Sequence, residues 1–141
     1  MGIPETKAAL AAVLATATGI VRAEAYAPRS IAAADLPCAL VFTGPATYDD
    51  YGPDPNARRV TRTYTVRVYV TPIAGGLNGE AEAAVEPFFD AVRDVLAASP
   101  TLNRTVLQAR LLRDNGVQVF NYAGSDYLGC ELQAQVIDIE S

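Results

Sequence analysis

The chain has 141 residues, half of them hydrophobic, and carries a formal charge of −5 with no histidine. That length fits one domain, residues 1–141, with a single core, and the apolar content argues against disorder of the whole. The negative balance argues against a nucleic-acid-binding module, which needs Lys and Arg to displace counterions from phosphate; no apolar run reaches the roughly eighteen residues of a membrane span.

Pro4 and Thr6 open a predicted helix running to about Arg22, with Leu10, Val13, Leu14 and Val21 on one stripe. Residues 8–21 are apolar enough to resemble a signal-peptide core, but Glu5 spoils the basic flank and the helical spacing favours a helix of the mature protein. Two short matches are set aside: residues 1–6 to a myristoylation pattern and Asn103-Arg104-Thr105 to a glycosylation acceptor. Residues 23–35 have no sustained period and contain Pro28, so an ordered connector is expected. Residues 36–43 are a continuous apolar run, read as a strand covered on both faces and ended by Gly44-Pro45.

Residues 44–57 hold Gly44, Gly52, Pro45, Pro53, Pro55, Asp49, Asp50, Asp54, Tyr48 and Tyr51, and predict a long loop. Residues 59–71 then alternate. Val60, Tyr64, Val66, Val68 and Val70 fall on a core face, with Thr61, Thr63, Thr65, Arg67 and Tyr69 on a face given to water or a neighbouring subunit. A second helix is expected over residues 80–98, with Val85, Phe88, Phe89, Val92, Val95 and Leu96 inward and Glu82, Glu86, Asp90, Arg93 and Asp94 outward. Pro87 either kinks it or sits in the first turn of a shorter helix. Three strands follow, at 105–112, 117–122 and 127–139, the first two joined by a tight turn at Asp114-Asn115-Gly116. The expected fold is α+β: a mixed or antiparallel sheet of about five strands with two helices packed on one face. Cys38 and Cys130 each sit in an apolar strand pattern and are expected to be reduced core residues.

Catalytic chemistry is sparse. Without histidine, triads, dyads and the commonest metal ligand are gone. None of the four serines, Ser30, Ser99, Ser125 and Ser141, lies in a nucleophile elbow, and Gly75, Gly76 and Gly79 lack the lysine of a phosphate loop. Asp49, Asp50 and Asp54 cluster but lack the spacing of a calcium loop, so a solvated acidic loop is the better reading. Tyr48 and Tyr51 beside them suggest a protein contact or packing back onto the domain. No catalytic, phosphate-binding or metal-binding motif is therefore evident in the residues alone.

Several landmarks together resemble the tail terminator proteins of long-tailed bacteriophages, also called tail completion or head-tail joining proteins. They are Tyr26-Ala27-Pro28-Arg29 ahead of Leu36-Pro37-Cys38-Ala39-Leu40-Val41; the strand of residues 64–70; the helix of residues 88–100 followed by Thr101-Leu102; and Tyr127-Leu128-Gly129-Cys130-Glu131-Leu132. The resemblance implies a small structural virion subunit that assembles as a ring, commonly a hexamer. Such a ring caps the tail tube and meets the neck of the head, after assembly in the host bacterial cytoplasm. Its implied partners are copies of itself, the major tail tube protein and a neck or head-completion protein, with no sequence-specific nucleic acid and no membrane. The resemblance also implies no catalysis and no cofactor. The family supplies no catalytic motif, so interface residues come from charge and exposure. These are Arg58, Arg59, Arg62 and Arg67 against the acidic helix face of Glu82, Glu86 and Asp90, with residues 44–57 as a contact loop. Another phage neck or minor tail protein, a non-viral α+β ligand-binding module and a small carboxylate enzyme are the rival classes.

Overall fold

A computed structural model describes residues 2–50, 58–73 and 79–140. In chain order the elements are α1 (Ile3–Leu14), β1 (Arg22–Glu24), a short 3-10 turn (Ala33–Asp35), β2 (Cys38–Asp50), β3 (Arg58–Pro72), α2 (Gly79–Val85), α3 (Pro87–Ala98), β4 (Gln108–Tyr122) and β5 (Ser125–Glu140). The five strands form one mixed sheet in the order β1-β2-β3-β5-β4. Only the β1–β2 pair is parallel. The fold is the expected α+β architecture.

The alternation of β3 positions both sides of the sheet. Tyr64, Val66, Val68 and Val70 join Leu10 and Leu14 of α1, Val85 of α2, and Phe88, Val92 and Leu96 of α3 in the main core, completed by Leu128, Leu132, Ala134 and Val136 of β5. The helices therefore cover one face, which we call the helical face. Pro87 is the first-turn proline of α3, and Glu86 before it keeps α-helical dihedrals. The single predicted helix is thus two helices meeting at Pro87, because proline lacks the N–H that would have continued the ladder.

A second, smaller core lies on the opposite face: Ile31, Cys38, Leu40, Tyr69, Phe120 and Tyr127. Here the connector folds back over the sheet. Tyr127 Oη donates to the Ile31 carbonyl at 3.4 Å, and Tyr122 Oη donates to that of Pro28. Tyr69 lies on the face its parity predicted but is only 1% exposed there. The physical reason is that the chain's own connector, rather than water or a neighbour, covers that end of the face.

Other expectations are corrected as well. Helix α1 ends at Leu14, and the residues after it turn so that Arg22–Glu24 can pair with Cys38–Leu40. The predicted loop at 44–57 begins as strand: Ala46–Asp50 pair with Arg58–Arg62, and the two-for-one mismatch at Gly44 and Pro45 is a bulge. Proline is tolerated there because β1 covers only Cys38–Leu40, leaving the rest of that flank of β2 as an edge. Residues 51–57, with Tyr51 and Asp54, lie outside the described residues, as do Gly75 and Gly76. The strands predicted at 105–112 and 117–122 are one strand, β4. Its register shifts across Asp114-Asn115-Gly116 without reversing the chain. Gly116 takes φ +80° in that bulge, and the chain reverses instead at Ala123 (φ +53°) and Gly124 (φ +85°). Two successive positive φ values are what a two-residue hairpin between right-twisted strands requires.

Candidate functional site

At one end of the sheet β2 and β3 continue as a ribbon, flanked beyond β3 by the last residues of β5, and several of the predicted interface residues meet one another there. Asp49 faces Arg59, Asp50 faces Arg58 and Tyr48 faces Val60 across the pair. Arg59 lies 3.6 Å from Asp49, both half exposed. Arg62 donates Nη1 to the Gly44 carbonyl and Nη2 to Tyr48 Oη, each at 2.9 Å. The arginine thereby holds the bulge and fixes a tyrosine that remains 55% exposed.

Arg67 stands on the other face from the helices and organises the sheet there. Its Nε donates to Glu131 Oε1 at 2.9 Å, and Asn115 Nδ2 donates to the other carboxylate oxygen at 2.6 Å. The guanidinium carbon lies 5.2 Å from the Phe42 ring centre and 4.9 Å from that of Phe120, within cation–π range. Phe42, Arg67, Glu131 and Asn115 come one each from β2, β3, β5 and β4. Desolvation works to raise the Glu131 pKa, but the hydrogen bonds from Arg67 and Asn115 outweigh it and leave the carboxyl below its ordinary value.

The acidic helix face does exist: Glu82, Glu86 and Asp90 are exposed along α2 and α3. Arg93 bridges Asp90 at 3.1 Å and Asp94 at 3.5 Å. Arg59, Arg62 and Arg67 do not reach that face, having found their partners within the sheet. The predicted groups are therefore split into a ribbon, an internal clamp and a helical ridge.

Sequence reasoning missed two arginines. Arg110 and Arg113 pair across the sheet with Gln135 and Gln133. Together with Thr61, Thr63 and Thr65 they form a polar sheet face with no helix over it among the described residues. Strict alternation would put these two arginines on opposite faces; the register shift between Leu111 and Arg113, which local sequence does not announce, brings them to one face. A groove of about 570 Å³ runs between α1 and the turn after α3, lined by Ala8, Ala9, Ala12 and Leu102 with a rim of scattered polar groups.

Cys38 and Cys130 are free, buried and on opposite faces of the sheet, since Cys38 pairs with Tyr69 and Cys130 with Val68. Among the described residues no three His, Cys, Asp or Glu side chains gather as a metal site. Nor is any helix among them long and apolar enough to cross a membrane. No known family model matches the chain, and no curated protein matches it.

Proposed function

We propose that the protein is a structural subunit of a bacteriophage virion: a tail terminator that closes the end of the tail tube as a homo-oligomeric ring and joins the tail to the neck. Beside the sequence resemblance, one observation carries this reading, namely that the two faces of the sheet are unlike. Helices cover one face completely enough to make a core, while the other is roofed only at its aromatic end and is otherwise a polar surface of threonine, glutamine and arginine. A subunit that closes a ring by rotation needs two different complementary patches, and unlike faces provide them.

The ribbon supports a second contact, to the tube or the neck. Tyr48 is an exposed aromatic held by Arg62, so its ring offers contact area at little further loss of rotamer freedom. In this role the protein performs no catalysis and takes no cofactor. Its partners are copies of itself, the tail tube protein and a neck or head-completion protein, in a virion assembled in the bacterial cytoplasm. DNA would pass such a ring without being gripped, because an acidic chain whose one lysine, Lys7, is buried releases few counterions from phosphate.

The test is to disrupt the gene in the phage that encodes it and view the particles by electron microscopy. Tails of aberrant length beside unjoined heads are expected. Normal joined virions would refute the reading.

A further inference from the structure

We infer that the ring closes by seating the acidic α2–α3 ridge of one copy on the Arg110 and Arg113 end of the open sheet face of the next. The inference rests on the ring reading and names the joint within it. Along the ridge stand Glu80, Glu82, Glu86, Asp90 and Asp94 against Arg93 alone, five carboxylates less one guanidinium, a formal charge of −4. Arg93 is taken up by Asp90 and Asp94. Glu82 and Glu86 have no basic partner among the described residues, so the ridge stays net anionic although Arg93 relieves its α3 end.

The opposite holds on the open face. There Arg59 and Arg67 pair with carboxylates, whereas Arg110 and Arg113 hydrogen-bond only to amides among the described residues, with Arg113 near enough to the Glu131 carboxylate to help lower its pKa. Arg110 Nε donates to Gln135 Oε1 at 3.0 Å and Arg113 Nε to Gln133 Oε1 at 2.9 Å. Among the described residues the terminal nitrogens of both make no hydrogen bond or ion pair, and Asp114, in register with Leu132, falls toward the helical side. Glutamine orients a guanidinium without neutralising it, so the pair keeps its charge for an outside anion.

Ridge and arginines do not pair with each other within one chain among the described residues. Ala109 and Leu111 turn toward the core under the helices, while Arg110 and Arg113 pair in register with Gln135 and Gln133. Arg110 lines one pocket with Arg93 at the α3–β4 edge, but the ridge carboxylates there are taken by Arg93 rather than Arg110, so a second copy can supply the missing match. Ridge against ridge or arginine against arginine is repulsive, which disfavours a two-fold joint and selects the head-to-tail one that closes as a ring. Exposed ion pairs are individually weak and screened by salt, so the joint is a steering and register device whose strength falls as ionic strength rises.

Charge reversal tests it on the full chain by sedimentation velocity, with circular dichroism melts to establish folding. Arg110→Glu with Arg113→Glu makes both patches acidic; Glu82→Arg, Glu86→Arg and Asp90→Arg make both basic. Each variant alone is expected to lose self-association by about a hundredfold in dissociation constant, and an equimolar mixture to recover it as an alternating ring. Should a reversal unfold the chain, Arg110→Gln with Arg113→Gln reads the same joint and is expected to weaken assembly about tenfold. Variants that assemble like the wild type, or a mixture that does not recover, overturn the joint while leaving the ring. A wild-type chain that stays monomeric at every concentration, with tail tube protein added, overturns both.

Discussion

Arg67 ties four strands together, and its contribution can be measured at the level of single atoms. Arg67→Ala removes a charged hydrogen bond to Glu131 and two ring contacts; with the side chain 38% exposed, solvent screening holds the expected cost to about 1–2 kcal/mol. Arg67→Lys should recover little of it, because a lysine cannot present a planar guanidinium to Phe42 and Phe120. The Glu131 carboxyl is held below its ordinary 4.5, so its contribution is present above that value and lost as pH falls through the depressed folded value. Glu131→Gln should therefore lower stability at neutral pH and flatten the acid limb below about 4.5, as urea titrations at several pH values would register. Burial pushes the Cys38 thiol up to about 11 and the Cys130 thiol up to about 12. Maleimide labelling should be slow in the native protein and fast in denaturant; rapid native labelling of either would contradict the buried assignment.

At the scale of elements, legibility followed the length of uninterrupted pattern. The alternation through β3 was readable because each residue from Val60 to Tyr69 faces a neighbouring strand and keeps parity, and the helical stripe of Val85, Phe88, Val92 and Leu96 was readable across Pro87 because its spacing is kept. β1 spans only Arg22–Glu24, too short to express a period. Gly44-Pro45 reads as a strand end and Asp114-Asn115-Gly116 as a tight turn because the residue chemistry that stops or reverses a strand also permits a bulge, and only the sheet register decides between them. The interface residues were legible as charge and aromatic content, but not their partners: that Arg62 would clamp Tyr48 depends on a pairing of strands that local sequence does not encode. Gly129 belongs to the same class. A Cβ at this position would collide with the Val68 carbonyl of β3, so Gly129→Ala should cost at least about 2 kcal/mol through forced separation of the central strands, detectable in a urea melt. The ribbon tip behaves differently, since neither core cluster contains a residue between 43 and 63. Removing residues 48–54 should leave the melting temperature within a few degrees of the wild type while abolishing joining of heads to tails in complemented phage. Normal virions from that deletion would place the external contact elsewhere.

As a whole molecule the protein is a plate with an anionic helical side and a polar sheet side, and a single copy leaves both unmatched. Scattered polar groups would make an ordinary solvated sheet face; a net anionic helical ridge, set against two arginines that hydrogen-bond only to glutamines among the described residues, is what favours head-to-tail assembly. Such a joint lets one surface pair serve every subunit of a ring, and it leaves the ribbon free for tube or neck. The most direct test of this account is the solution mass of the wild-type chain, by light scattering coupled to size exclusion at low salt, across concentration and with tail tube protein added. The account predicts a closed ring, a hexamer if the family resemblance holds, whose population falls as salt is raised. A chain that remains monomeric under all of these conditions would contradict it.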